Sequence, residues 1–571
     1  VQSATWVHGK CIYSEMNSID ELEVSTKARG EAKNVEVFAI SYKNNAAQKG
    51  RESICSTRSG ADFEKAIGET GYGKFNYLLM LLMFPASCSS TYDATSLSYA
   101  LPTATCDLKL DAYDRGYLNA IIYAGMISSA FLWGFVSDHF GRQKILMLGY
   151  LGDVVFAVAA SLSQNFWSLL IFRFFSGFMI CGPFSILMSY LSELFKSDQR
   201  DSVIMMVGLF QSLGGILQPF IAWAIIPQTI NWSLMDGLLV INSWRLFLLI
   251  CTLPSLLAGI GTAFCHESPR FLLAKGRKDE ALKVFRSIYS VNTGRPGNTY
   301  SVKKLRSDPV TASDKKKPTF WQEMTGIFRP PYLYKSMLLF IIQFNCLLTM
   351  NTIKLWLPQL FFDIKEMQMQ GDESLTTCEI LGGNHNTSSK VTDCDNFTVD
   401  TSVYFNMLVA SMLLAISFSI ATVAVNYVGK KNLMVNLFLL QSVVISVVGW
   451  VKPPFTTWLV AVFVALANTT GIGLLSFVVQ MYPTTLRTMA VSLTMMFGRV
   501  GVFVGNITLP FFLDLTCHGT FVGTSLMTLL CGLILYILTS STSKTVASTA
   551  KKENSPPQSQ TSNRPDADVP N

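Results

Sequence analysis

The sequence predicts an all-α membrane protein in which twelve transmembrane helices form two six-helix bundles. Three observations lead to this fold class. Half of the 571 residues are hydrophobic and only 15% are charged, whereas a soluble protein carries about 25% charged residues. Apolar runs of roughly 20 residues, the length that a helix needs to cross a bilayer, recur along the chain. A polar insert separates six of these runs from the other six, which indicates two internal repeats.

The chain divides into five expected parts. They are a disordered cytosolic tail (1–60), an N-terminal six-helix bundle with a pre-membrane helix (61–265), a cytosolic linker (266–332), a C-terminal six-helix bundle with a luminal loop at 359–401 (333–540), and a disordered cytosolic tail (541–571). The tails are polar and lack periodicity, which favours disorder. The apolar runs place the spans near 75–100, 113–137, 143–163, 166–190, 202–227, 243–264, 333–358, 402–427, 431–451, 455–480, 485–512 and 518–540.

Charge predicts the orientation of these spans. The linker 266–332 carries fourteen Lys or Arg and six Asp or Glu, a net charge of +8, whereas the loop 363–401 has a net charge of −6. Because Lys and Arg concentrate in cytosolic loops, we expect both termini and the linker in the cytosol. The basic charge therefore reports orientation rather than a nucleic-acid partner. The acidic loop is expected to be luminal or extracellular, which favours a vesicle or the plasma membrane.

The acidic loop carries signs of a secretory compartment. Asn386 and Asn396 begin two glycosylation sequons. Cys378 and Cys394 flank the first sequon and could form a disulfide in an oxidising compartment. Cys106 and Cys517 are the other cysteines expected on that side.

A short polar segment joins the second and third spans. It carries two glycines and three charged residues: Gly134, Asp138, Gly141, Arg142 and Lys144. The segment is either a gate between helices or a charged turn that only sets topology. Its arrangement resembles the signature loop of the major facilitator superfamily. Three other segments resemble further motifs of that superfamily: Arg173–Gly177, Glu267–Leu272 and Tyr482–Arg487.

Within this superfamily the chain most resembles the synaptic vesicle glycoprotein 2 family. The resemblance rests on Gly71–Phe75, Trp223–Pro227 and Ser243–Phe247. It implies that spans one, four, seven and ten line a central cavity and that the signature loop latches helices in the outward-facing state. The loop of about 40 residues departs from vertebrate members, which have a long luminal domain there, so partner binding by that domain does not carry over.

Ionisable residues inside spans are costly, about 3 kcal/mol each at the bilayer centre, and commonly functional. Asp93 in the first span and Arg173 in the fourth are therefore candidates for substrate or coupling charges. The alternative is a structural ion pair. Relatives have a second acid three residues before the Asp93 position, where this chain has Ser90, and this departure weighs against a carboxylate pair. Asp153 in the third span is interpreted as a packing residue.

Three further candidates lie in the C-terminal bundle: Lys354, Trp356 and Asn468. Each also has a simpler interpretation than substrate binding. Lys can reach the membrane interface, Trp can anchor a helix there and Asn can hydrogen-bond between helices.

Charged residues near the cytosolic helix ends are expected to form a network: Glu193, Arg200, Glu267, Arg270 and Arg487. By resemblance, this network holds the two halves together in one state and breaks in the other. The alternative is a set of surface pairs, each worth under about 1 kcal/mol.

The predicted function is secondary active transport of a small organic solute, a sugar or an organic ion, with a coupled proton or cation. The rival is a non-transporting membrane protein that acts in vesicle trafficking or partner binding. The five histidines show no metal-ligand spacing and no phosphate-binding loop is visible, so we expect neither an enzyme nor a cofactor. The expected partners are the solute and the lipid bilayer, and the sequence carries no signal for an oligomeric state.

Overall fold

A computed structural model describes most of the chain. The described residues are 2–7, 10–15, 62–234, 236, 239–305, 320–330, 332–369, 376–382, 401–452, 455–482 and 484–553. Asn386, Asn396 and Cys394 lie outside them, so the expected glycosylation remains a prediction.

The chain begins with an antiparallel hairpin where the sequence predicts disorder. Strands β1 (Gln2–Val7) and β2 (Lys10–Glu15) pair along their whole length. Both contain aromatic and β-branched residues, which favour strands. The pre-membrane helix α1 (Phe63–Glu69) follows, and the Asp62 carboxylate accepts the backbone N–H of Phe63 at its start.

The N-terminal half consists of long helices and one short hairpin. In order they are α2 (Lys74–Leu108), α3 (Ala112–Phe140), α4 (Arg142–Ser161), α5 (Phe166–Leu194), α6 (Ser197–Ile225), the antiparallel strands β3 (Asn231–Leu234) and β4 (Leu239–Asn242), α7 (Ser243–Cys251) and α8 (Leu253–Ala263). A break at Thr252 separates α7 from α8, and Pro254 lies in the first turn of α8. Together these two helices occupy the sixth expected span.

The linker and the C-terminal half are also helical. The linker contains α9 (Pro269–Ala274), α10 (Lys278–Thr293), a 3-10 turn (Gly297–Thr299) and α11 (Phe320–Ile327). The C-terminal half contains α12 (Leu333–Met369), α13 (Thr377–Gly382), α14 (Thr401–Val428), α15 (Lys430–Val447), a 3-10 turn (Val448–Trp450), α16 (Phe455–Met481), α17 (Thr484–Leu515) and α18 (Cys517–Glu553). Helix α12 enters the expected loop, and α18 continues thirteen residues beyond the expected end at 540, through a stretch that includes the helix formers Ala and Lys.

Eleven segments in the described part of the chain are long and apolar enough to cross a membrane. Helix α2, expected as the first span, is 35 residues long but is not among them. The reason is local, because a Ser- and Thr-rich stretch from Ser87 to Ser98 lowers its apolar content. That polar stretch lies at the centre of the candidate site.

Buried side chains form three clusters. One lies mainly in the N-terminal half and another mainly in the C-terminal half. A third joins the halves, with Tyr99 of α2 and Leu357 of α12 among its members. Its end of the molecule, which we call the loop side, carries α13. The linker side is the opposite end. On the loop side the Tyr404 hydroxyl donates to the Tyr99 carbonyl at 3.3 Å and the Tyr113 hydroxyl to Asp514 at 2.8 Å.

Candidate functional site

A buried ion pair joins α2 to α5 in the N-terminal half. The Arg173 guanidinium lies 3.0 Å from an oxygen of the Asp93 carboxylate, and both side chains are at most 5% exposed. Arg173 also donates to the Asp93 backbone carbonyl at 3.1 Å and to the Ser96 hydroxyl at 2.9 Å. The structure therefore brings together the two intramembrane charges that the sequence singled out, and both terminal nitrogens of Arg173 have hydrogen-bond partners on α2.

A second carboxyl group, that of Asp153 on α4, completes this site. The Ser176 hydroxyl oxygen lies 2.8 Å from both Asp93 carboxylate oxygens and 2.7 Å from one oxygen of Asp153. The other Asp153 oxygen accepts from the Ser255 hydroxyl at 2.6 Å. Asp153 is thus part of a polar network with two acids and one base, contrary to its interpretation as a packing residue.

Hydrogen counting assigns a proton to this network. A serine hydroxyl has a single hydrogen to donate, yet Ser176 contacts the carboxyl groups of both Asp93 and Asp153. If Ser176 donates to one carboxylate, the other carboxyl group must donate to Ser176. The arrangement is satisfied when Asp153 carries a proton and Asp93 is ionised beside Arg173. The buried group is then electrically neutral, which avoids the large cost of an uncompensated charge.

Close helix packing places these side chains. A Cβ atom on Gly177 would clash with the Ile122 carbonyl of α3, and one on Gly125 would clash with the Phe174 carbonyl of α5. Glycine therefore lets α3 and α5 approach backbone to backbone. A cavity of about 10 Å³, enough for one water molecule, lies beside Asp93, Asp153 and Arg173.

The other intramembrane candidates lie elsewhere. Trp356 lines a second cavity, of about 360 Å³, on the loop side. Lys354 lies two positions earlier on α12, about 200° around the helix from Trp356, and is not among the residues that line that cavity. Asn468 is half-buried on α16. The hydrogen bonds that join Asp93, Asp153 and Arg173 in the described structure include neither Lys354 nor Asn468.

The signature loop turns sharply at Gly141, between α3 and α4. Gly141 has φ +106°, a conformation that favours glycine. Helix α4 begins without a cap from its own chain segment. The Glu267 carboxylate instead accepts the backbone N–H groups of Arg142 and Gln143 at 2.9 and 3.1 Å, a favourable position for an anion. Gly134 faces open space and Lys144 is exposed. Asp138 is among the residues whose side chains the structure does not describe.

A second carboxylate strengthens this junction. Arg142 lies 3.4 Å from Glu193 of α5, and the Ser268 hydroxyl donates to the same carboxylate. His266 lies nearby, between α8 and α9, and burial lowers the pKa of its imidazole. His266 is therefore neutral at pH 7 and adds no positive charge to the junction.

The rest of the expected charge network is divided. Arg200 pairs with Glu64 of α1 at 2.5 Å, and the Arg270 guanidinium lies 5.9 Å from the Phe63 ring. These contacts, like those of Glu193 and Glu267, all lie within the N-terminal half and the start of the linker. Arg487 is half-buried on α17 in the other half, and its Nε has no hydrogen-bond partner among the described residues. In this conformation the described contacts of the network stabilise one half rather than joining two.

The disulfide differs from the expected one. Cys378 is bonded to Cys517 at the start of α18, with the two Cα atoms 5.5 Å apart, so the expected pairing with Cys394 is wrong. The backbone of Thr377 donates to the Val451 carbonyl and its hydroxyl contacts that of Thr456. These bonds hold α13 against the end of the C-terminal half, where Cys517 lies. Cys106 also takes part in a disulfide.

Sequence reasoning missed Asp153, Ser176 and Ser255 as partners of the ion pair. Asp153 was visible as a carboxylate inside a span, which is itself a functional signal. The two serines gave no signal, because serine is common in membrane helices and only the helix packing shows which carboxyl groups it contacts.

Known proteins share the sequence pattern and the fold. The pattern of the Major Facilitator Superfamily matches residues 83–476. Synaptic vesicle glycoprotein 2B of Rattus norvegicus is 27% identical over 365 residues, which cover 60% of this chain and 52% of that protein. Synaptic vesicle glycoprotein 2C of Mus musculus is 30% identical over 322 residues, 55% and 44% of the two chains. The expected resemblance to this family is confirmed, although the chain matches only about half the length of these relatives.

Solved transporter structures share the fold. The D-xylose-proton symporter superposes with a TM-score of 0.58 at 14% identity, over 81% of this chain and 98% of that one. A bacterial homolog of the human lysosomal transporter Spinster, inward-facing and unoccupied, superposes with a TM-score of 0.54 at 11% identity, over 82% and 98%. The predicted fold class is confirmed.

Proposed function

This chain belongs to the Major Facilitator Superfamily, and on that premise we propose that it is a secondary active transporter. It moves a small organic solute, a sugar or an organic ion, across a membrane by alternating access between its two halves. Both termini lie in the cytosol, and the protein resides in a vesicle or the plasma membrane. The linker side is then cytosolic.

The carboxyl pair Asp93 and Asp153 is the observation that carries this proposal. Two acids and one base share a buried site. The base neutralises one acid, so the second acid is neutral only when it holds a proton. Release of that proton leaves a net negative charge in a buried environment, which is costly. Protonation is therefore linked to any helix movement that exposes the site to water, and that linkage is what proton coupling requires.

Alternating access needs an interface with two arrangements. A shared buried cluster joins the halves on the loop side, whereas the clusters toward the linker side each consist mainly of residues from one half. In the proposed orientation this state faces the cytosol and is closed toward the lumen. The Asp93–Arg173 bond is formed in this state.

The similar proteins bear on two questions: which ion is coupled to the solute, and whether the protein transports a solute at all. The fold neighbour named as a D-xylose-proton symporter favours a solute that moves with a proton. The relatives named as synaptic vesicle glycoproteins favour a vesicle location, and they keep a non-transporting role in trafficking or partner binding as the rival.

Uptake into proteoliposomes tests the proposal. Purified full-length protein is assayed with labelled sugars, organic cations and organic anions, with and without a pH gradient. We expect gradient-stimulated uptake of at least one class, and loss of that stimulation in Asp93→Asn. Glu280→Gln is the matched control, because Glu280 is an exposed carboxylate paired with Arg277 on the linker. Absence of uptake across the panel, by protein shown to be folded and inserted, would favour the non-transporting rival.

A further inference from the structure

The loop side contains a cavity that the proton site does not use. It has a volume of about 360 Å³ and lies between α3 of the N-terminal half and helices α12, α16 and α17 of the C-terminal half. Such a volume falls within the usual range for small-molecule sites, about 300–1,000 Å³. Its walls come from both halves, so any change in the distance between the halves reshapes it.

One face of α12 supplies five of the residues that line the cavity. Ile353, Trp356, Gln359, Leu360 and Asp363 line the cavity at spacings of three and four residues, which places them on one stripe of the helix. Of these five residues, only Trp356 was predicted from the sequence as a candidate to contact a substrate. Gln359 and Asp363 become apparent from the spacing once the orientation of Trp356 is known.

Buried polar atoms in this wall have no partner among the described residues. They are the indole Nε1 of Trp356, the amide oxygen of Gln359 and Nε of Arg115 on α3. Gln359 is only 8% exposed, and its amide nitrogen already donates to Asp363 at 2.7 Å. A buried polar atom without a partner costs about 1–3 kcal/mol. Three of them in one cavity wall indicate a ligand with both donors and acceptors.

The charge of the cavity selects the ligand class. Asp111, Asp363 and Asp514 line it together with a single cation, Arg115, so its wall carries a net charge of −2. The guanidinium of Arg115 lies 6.0 Å from the Trp356 ring centroid, and the excess of carboxylates favours a cationic group in the cavity. Aromatic and aliphatic side chains, including Tyr113 and Phe521, complete the lining.

We propose that this cavity binds an organic cation, an amine with an aromatic or apolar body. The ammonium group donates to the Gln359 amide oxygen and the Asp363 carboxylate. A hydroxyl or carbonyl group of the ligand accepts from Trp356 Nε1. This inference deepens the proposed function and rests on it only in making the amine a transported solute, because binding itself requires no transport.

Three probes that share one ring test the charge selection. They are tyramine, its neutral alcohol analogue tyrosol and the anion 4-hydroxyphenylacetate, each labelled and measured by equilibrium dialysis against the full-length protein in detergent. We expect tyramine to bind at least about tenfold more tightly than tyrosol, since a charge pair in a partly buried site exceeds its value in water. The anion is expected to bind most weakly. Equal binding of all three probes, or preference for the anion, would overturn the proposal.

Two conservative variants locate the binding. Asp363→Asn preserves size and an acceptor for Gln359 but removes the charge, and we expect about a tenfold loss of tyramine affinity with little change for tyrosol. Trp356→Phe retains an aromatic ring but removes the indole N–H donor, and we expect lower affinity for both tyramine and tyrosol. Glu280→Gln should bind tyramine as the unmodified chain does. If Asp363→Asn leaves tyramine affinity unchanged, the site is not this cavity.

The outcomes separate this inference from the proposed function. Tyramine binding without any uptake would retain the site and reject the transporter. Proton-coupled uptake of another solute without tyramine binding would retain the transporter and reject the site.

Discussion

The Ser176 hydroxyl oxygen lies 2.7 Å from an oxygen of the Asp153 carboxyl group. Because Ser176 also lies 2.8 Å from Asp93, one hydroxyl joins two acids of which Arg173 neutralises only one. The site therefore resembles a relay, Asp153 to Ser176 to Asp93 to Arg173, rather than an isolated ion pair.

The variant Asp153→Asn tests this relay directly. Asparagine retains an acceptor for Ser255 and can donate its amide hydrogen to Ser176, so the hydrogen bonds persist while the titratable proton is lost. We expect the protein to fold and to lose the infrared band of a buried protonated carboxyl group. Gradient-stimulated uptake should fall to the level seen without a gradient. An unchanged infrared band in Asp153→Asn, with Glu280→Gln as the reference, would show that Asp153 does not carry the proton.

The two glycines of the signature loop should respond differently to alanine. Gly141 has φ +106° and a Cβ atom there would clash with Glu267, whereas a Cβ atom on Gly134 meets open space. Such a backbone conformation costs a non-glycine residue about 1–3 kcal/mol. We expect Gly141→Ala to lower the melting temperature in detergent by several degrees and Gly134→Ala to leave it nearly unchanged. An equal fall in melting temperature in the two variants would mean that Glu267 does not constrain the turn at Gly141.

The disulfide between Cys378 and Cys517 can be mapped chemically. Digestion without reduction, followed by mass spectrometry, should yield a linked peptide that contains both cysteines, and reduction should separate it. Because the bond closes a loop of 139 residues, its removal in Cys517→Ser should cost about 2–4 kcal/mol of stability. A peptide that links Cys378 to Cys394 would contradict the structure and restore the sequence expectation.

The helices were predictable because the apolar length of a span is a local signal. The exceptions have local causes as well. Helix α2 is less apolar than the other spans because of the serines and threonines between Ser87 and Ser98, of which Ser96 contacts Arg173. The structure also differs from the disorder predicted for the start and end of the chain. The hairpin of β1 and β2 and the last turns of α18 depend on residue propensity rather than on apolar length.

The contacts of the site were only partly predictable. Asp93 and Arg173 were recognisable because any charge inside a span needs a reason. Their partnership with Asp153 depends on how α2, α4 and α5 pack, which no spacing within one helix encodes. The same holds for Cys378, whose nearest cysteine in sequence is not its partner, and for Glu267, which caps a helix that begins 125 residues earlier.

Removal of the Arg173 charge should unbalance the site more than removal of either acid. In Asp93→Asn the guanidinium can still be neutralised by Asp153, which then ionises. In Arg173→Gln the ionised Asp93 loses its counter-charge, and breaking a buried pair in this way typically costs about 3–5 kcal/mol. We therefore expect Arg173→Gln to have the lower melting temperature of the two. The double variant Arg173→Gln with Asp93→Asn should recover part of the loss, since it removes the uncompensated charge. Strictly additive losses would show that the two residues do not interact as the structure describes.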